Sequence, residues 1–214
     1  AHEDSDLLLR AIRGVAVVGN GAQLDRLGNL ASHPDARVRQ RAIAALGKLG
    51  GQDQLSTVVA RMNPGVEPVD GPRQAAWEAF RAVCERMPLA EQISAADRLA
   101  DLPGYRVRYL EALHTRLAKA GAATPELSRV RETLARAYAV QGRNGDAFPL
   151  WRGLFRRALE PSDPRRHGIA MAFLDCAVAT DKPDALGDIV NGLIDAADAT
   201  REAASATIVA YLER

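Results

Sequence analysis

Apolar residues recur along almost the whole chain at steps of three and four. Leu8, Ile12, Val15 and Ala16 form one such run, and Val38, Ala42, Ala45, Leu46 and Leu49 another; this spacing gathers side chains on one face of an α-helix. Strand-type alternation is almost absent. Turn-forming clusters interrupt the pattern at short intervals: Gly19-Asn20-Gly21, His33-Pro34, Gly50-Gly51, Asn63-Pro64-Gly65, Gly71-Pro72, Pro88, Pro103-Gly104, Thr124-Pro125, Gly142, Pro161 to Pro164, and Pro183. They divide the chain into about a dozen helices of ordinary length. Ser32 and Asp35 have capping-box spacing with an acid in the glutamate position, and Thr124-Pro125 and Asp163-Pro164 put a cap donor ahead of a proline.

The helices repeat. A shift of 31 residues lays Ala11-Ile12 on Ala42-Ile43, Val15 on Leu46, Gly19 on Gly50 and Gln23-Leu24 on Gln54-Leu55; a shift of 34 lays Arg39 on Arg73, Ala42 on Ala76, Leu46 on Phe80 and Leu55 on Leu89. A fixed period of this size is the mark of a helical repeat array, and it places three helix pairs over residues 6–100. The run from His33 through Gly50, with its Pro34-Asp35 turn, Val38-Arg39 and Ala45-Leu46-Gly47, closely resembles a HEAT repeat of the short bacterial kind. The resemblance is weaker over 70–100, where Pro72 replaces the expected valine. It implies that Arg39 and its equivalent Arg73 brace neighbouring repeats.

The second half follows a different pattern. Leu134-Ala135, Tyr138, Gly142, Ala147 and Trp151 resemble a tetratricopeptide (TPR) repeat, in which small residues let two helices approach and large ones fill the groove between them. A fainter copy lies 38 residues on, with Cys176, Ala185 and Ile189 at the equivalent places. The expected organisation is therefore an all-α solenoid of about six antiparallel helix pairs: HEAT-like repeats over 6–100, linking helices over 101–126, and TPR-like pairs with a terminal helix near 200–212, all in one continuous array.

Composition narrows the function. Of 214 residues, 28 Lys and Arg stand against 27 Asp and Glu, a formal net charge of +1; nucleic-acid binders usually carry a clear basic excess. No apolar run reaches the length of a membrane span. The expectation is a soluble chain, either cytoplasmic or exported to a periplasm, which other domains of a longer protein could flank. Cys84 and Cys176 lie far apart in apolar helical contexts, which reads as two buried small hydrophobes.

Catalytic chemistry is thin. Four histidines, His2, His33, His114 and His167, are scattered, and no His-Glu-x-x-His, Gly-x-Ser-x-Gly or phosphate-binding glycine loop occurs. No metal, cofactor or catalytic residue is assigned. Charge is nonetheless uneven: five arginines (Arg152, Arg156, Arg157, Arg165, Arg166) face two acids between Trp151 and His167, and six acids face two cations between Asp181 and Glu202. Neighbouring segments of opposite sign suggest either an internal salt-bridged seam, the favoured reading, or two partner-facing patches. Trp77 and Trp151 fall at repeat positions that pack between helices.

The reading that follows is a non-enzymatic scaffold binding a protein or peptide on its concave, second-helix surface. There the candidate contacts are Asp25, Arg26, Asn29, Gln54, Thr57 and Arg61. Tyr105 and Tyr109, with Arg106 and Arg108 between them, form a candidate exposed aromatic-basic strip. The alternative, by resemblance, is a HEAT-like DNA glycosylase, which requires a basic track and aromatics on the extruded base. Neither Trp77 nor Trp151 has an aspartate three or four residues away, which places that reading second.

Overall fold

The computed structural model describes residues 2–19, 21–121, 125–157 and 165–192, with five isolated positions between 202 and 213. Asn20, Thr124, the Pro161–Pro164 turn and most of the expected terminal helix lie outside them. Among the described residues there are eleven α-helices and no strand: α1 (His2–Val18), α2 (Leu24–Leu30), α3 (Ala36–Leu49), α4 (Leu55–Ala60), α5 (Asp70–Glu85), α6 (Leu89–Ala95), α7 (Pro103–Lys119), α8 (Pro125–Val140), α9 (Asn144–Arg157), α10 (Arg166–Ala179) and α11 (Pro183–Gly192). Short 3-10 turns at Gly21–Gln23 and Gln52–Gln54 lead into α2 and α4, and a third, Ala96–Leu99, follows α6.

The chain divides into two compact units, 1–102 and 103–214. In the first, three helix pairs stack so that α3 lies between α1 and α5, while α2 packs on α3 and α4 on α5. The two shifts found in the sequence are this stacking. Val38, Ala42, Ile43 and Leu46 are fully buried, as are their counterparts Ala76 and Phe80, while Trp77, at the Ile43 position, is 1% exposed. Gly19 and Gly50 end their helices alike, each donating its amide to the carbonyl four residues back, Val15 and Leu46, at 2.7 Å. Pro72 does not break α5. It stands in the first turn, where a missing amide hydrogen removes no helical hydrogen bond, and it is buried at the position that Val38 holds in α3.

One helix start differs from expectation. The cap of α3 is Asp35 itself, whose carboxylate accepts the Arg37 amide at 2.8 Å, and Ser32 instead accepts a hydrogen bond from Arg61 Nη2 at 2.5 Å. Asp35 also receives the Arg37 guanidinium and the Ser5 hydroxyl of α1, which together hold it well below the usual carboxylate range. The cap is thus also a tie between the first two pairs.

In the second unit, successive helices pack in chain order, α7 on α8, α8 on α9, α9 on α10 and α10 on α11. The small residues Ala135 and Ala147 are fully buried, and Trp151 is 2% exposed, as two closely approaching helices with a bulky filler require. Phe173 of α10 sits against Phe148 and Phe155 of α9, with ring centroids 5.4 and 5.5 Å away. Gly142, at φ +70°, ends α8 in the left-handed conformation that favours glycine.

Candidate surface for protein recognition

The candidate contacts of the first unit sit on and around its second helices. Asp25, Arg26 and Asn29 are exposed on α2, whose inward face is Leu27. Thr57 is half-buried on α4, where Leu55 and Val58 face the core. The two remaining residues are partly engaged within the fold. Gln54 accepts the Gly51 amide on Oε1 at 2.9 Å, and Arg61 ties α4 to Ser32 of the preceding pair.

Arg26 and Thr57 are repeat equivalents, and the same shift carries Asp25 to Ser56 and Asn29 to Ala60, both exposed. Applying the next shift adds Glu91 and Ser94, exposed on α6. Ser56, Ala60, Glu91 and Ser94 are not among the residues expected from the sequence, although the two shifts alone point to them. The surface runs from a charged end at Asp25 and Arg26, through a middle of small uncharged residues, to Glu91.

Arg37 and Arg39 of α3 belong to the framework. Arg39 grips Glu67 with Nε to Oε2 at 2.6 Å and Nη2 to Oε1 at 2.8 Å, while its Nη1 donates to the carbonyls of His33 and Pro34. Glu67 is fully buried and also accepts the Val69 amide. The paired guanidinium is the main reason its carboxyl is held below the ordinary value. Arg73 repeats only part of the device: its Nη1 donates to the Glu67 carbonyl at 2.8 Å, six residues back, as Arg39 does to His33, while its carboxylate partner is the local Asp70, so the expected brace to a neighbouring repeat is seen at Arg39 alone. Arg37 turns to Asp35 and Asp6.

In the second unit the tyrosine pair does not form the expected strip. Tyr109 is 6% exposed and lies on the buried face of α7 with Val107, Leu110 and Leu113; Tyr105 and Arg106 are half-buried and Arg108 is exposed. Helix amphipathicity accounts for the spacing, because residues four apart share a face whether that face is wet or dry. The charged segments do meet as a seam. Arg152 Nη2 lies 2.8 Å from Asp188 and Arg156 3.9 Å from the same carboxylate, while Arg165 reaches Glu132. The side chains of Arg157, Arg166, His2 and His167 lie outside the described residues. A pocket of about 300 Å³ beside the seam is lined by Phe148, Arg152 and residues 181–185; its cations are engaged, Arg152 with Asp188 and Lys182 over the Phe148 ring at 4.6 Å.

Titratable groups elsewhere serve the packing. Burial and, secondarily, the Arg131 guanidinium push His114 down. Burial and the hydrogen bond to Glu111 push Tyr138 up to about 12. Among the described residues no cluster of three His, Cys, Asp or Glu side chains could hold a metal ion, and no helix is long and apolar enough to cross a membrane.

Stacked helix pairs, with Arg39 of α3 holding the buried Glu67 in the connection that leads into α5, define an all-α repeat protein of the solenoid class. Residues 1–81 match the family model of HEAT repeats. No curated protein and no solved structure matches the chain. HEAT repeats commonly mediate protein–protein interaction.

Proposed function

We propose that this chain is a non-enzymatic scaffold that binds a protein or peptide along the second-helix surface of its first unit. The observation that carries the reading is the ordered row of side chains at repeat-equivalent positions, from the exposed Asp25, Arg26 and Asn29 through the half-buried Thr57 and its exposed neighbours Ser56 and Ala60 to the exposed Glu91. The helices beneath are fixed by buried leucines and by the Arg61–Ser32 tie. Rigid helices offer polar groups at low ordering cost, which favours binding. The charged ends suit a ligand of mixed charge, and the small middle admits close approach of its backbone. The glycosylase alternative gains nothing here, since Trp77 and Trp151 are buried in helix packing.

The test is crosslinking capture from the source cells with the full chain as bait, beside Arg26→Glu and Thr57→Arg. The expected result is a protein that the parent enriches and both variants lose. Equal recovery by all three baits overturns the assignment of this surface, and a salt-sensitive nucleic acid in place of protein overturns the scaffold reading.

A further inference from the structure

The outward face of α3 is basic. Its exposed residues are Arg37, Gln40, Arg41, Ala44 and Lys48, which share one stripe of the helix at steps of three and four, and α3 contains no acid. The helix lies between α1 and α5, so the stripe stays open with both flanks of α3 covered. The shift of 31 residues carries it to α1, where Arg10 stands at the place of Arg41, Arg13 at that of Ala44 and Val17 at that of Lys48. All three are exposed, Val17 by 71%.

Two packed helices therefore present two rows, Arg10, Arg13 and Val17 beside Arg41, Ala44 and Lys48. Each row is about 10 Å long at 1.5 Å per residue, and packed helices lie about 8–10 Å apart. Arg37 is held by Asp35 and Asp6, and Arg39 by Glu67. Among the described residues none of Arg10, Arg13, Arg41 and Lys48 makes an ion pair or a side-chain hydrogen bond. The patch has limits within the fold. On α5 the same stripe reads Gly71, Gln74, Ala75, Glu78 and Ala82, with no cation and with a carboxylate that accepts the Gln74 side-chain amide at 2.8 Å. On α1 the place of Arg37 is taken by Asp6.

We infer that the outward face of α1 and α3 docks an acidic amphipathic helix of a protein partner. Charge complementarity calls for an anion, and the limits of the patch select which. Tight binding of a nucleic acid duplex draws on about six to ten phosphate contacts, whereas this stripe turns acidic at α5 and sets Val17 and Ala44 among its cations. An anionic bilayer is wider still and would meet Asp6 and Glu78 along with the arginines. A helix laid along the furrow between α1 and α3 fits both the size and the mixture. Carboxylates on its two flanks reach Arg10 and Arg13 on one side and Arg41 and Lys48 on the other, while a small apolar seam lies on Val17 and Ala44. Charged flanks beside an apolar seam are how paired helices choose partners. The surface belongs to the first helices and the binding row proposed above to the second, so either assignment can fail without the other.

The test is fluorescence anisotropy of the full chain with a labelled synthetic peptide of about three heptads, leucine and alanine forming its seam and glutamate its flanks. A second peptide has the same residues scrambled, so that its charge is equal but its glutamates surround the helix. At low salt the first peptide is expected to bind at least about tenfold more tightly than the second, and Arg13→Glu with Arg41→Glu to weaken it by about tenfold or more. Arg13→Gln with Arg41→Gln should act in the same direction by a smaller factor, and it carries the test if the reversal disturbs the circular dichroism. Arg98→Glu with Arg129→Glu, an equal change in net charge at exposed positions off the patch, should leave the affinity unchanged. Equal binding of the two peptides, equal loss in the patch and control variants, or no binding at low salt overturns the inference. A duplex oligonucleotide or phosphatidylserine vesicles that bind where the peptide does not, and are lost with the same two arginines, overturn it in favour of a nucleic acid or a membrane.

Discussion

Gly47 of α3 and Ala79 of α5 touch backbone to backbone: a Cβ at residue 47 would lie 2.5 Å from the Ala79 Cα and 2.6 Å from its Cβ. That contact sets the spacing of the second and third repeats. Ala79 is itself buried and on a helix backbone, so it cannot step aside as a long side chain would. Gly47→Ala is therefore expected to destabilise the chain by about 1–3 kcal/mol through overpacking, despite the roughly 1 kcal/mol by which alanine favours a helix over glycine. Gly14→Ala, at an open site in α1, should show the helix preference alone and stabilise by about 0.5–1 kcal/mol. Urea unfolding of the two variants checks both signs.

The buried ion pair predicts a dependence on acid. Glu67 is charged in a dry site because Arg39 donates twice to it, and its carboxyl lies below the ordinary 4.5. A lowered folded value means that the linked stability is complete above the ordinary value and is lost as pH falls through the folded one. Asp35 adds to the same slope. The urea midpoint should hold from neutral pH to about 5 and decline below it. Glu67→Gln should flatten that decline and cost about 3–5 kcal/mol at neutral pH, since it leaves a guanidinium buried without its counter-charge. Replacing both residues, Arg39→Met with Glu67→Leu, should cost less than the single change.

The repeats were legible in the sequence because stacking acts on identities. Gly19 and Gly50 end their helices in the same way, and Arg39 and Arg73 bind the carbonyl six residues back. Glu67 was not legible. It stands in a connection between helices, where no periodicity singles out an acid, and only the fold brings it beneath an arginine 28 residues earlier. The Tyr105–Tyr109 spacing marked a helix face correctly and its solvent exposure wrongly, since a period says which residues lie together but not what covers them. The same limit governed the binding row: the shift fixed equivalence, while the engagement of Arg61 with Ser32 depended on where the preceding pair lay.

The seam in the second unit should be weak. Arg152 and Asp188 are 2.8 Å apart, but their side chains are 45% and 43% exposed, and water screens such a pair. Asp188→Asn is expected to cost less than about 1 kcal/mol at low salt and nothing measurable at 1 M, where the screening length is about 3 Å. Unfolding of the variant at two salt concentrations decides this. A cost that persists at high salt would mean that the carboxylate acts through packing rather than charge.

The two cysteines give each unit its own reporter. Cys84 on α5 is 1% exposed and Cys176 on α10 is 3% exposed, and Cys176 donates its thiol to the Asn144 carbonyl at 3.2 Å. Burial pushes that thiol up to about 11. Because the thiolate is the nucleophile, both accessibility and ionisation oppose reaction at pH 8. Alkylation of either cysteine in the native chain should run at least about a hundredfold slower than in urea, and the native rate should follow opening of the surrounding helices rather than reagent concentration once reagent is in excess. Cys84→Ser isolates the reporter in the second unit and Cys176→Ser the one in the first, so mass spectrometry of the two variants reads the opening of each unit separately. Fast native labelling of the Cys84→Ser chain would show that α10 does not shield its thiol against α9 as the Asn144 contact requires.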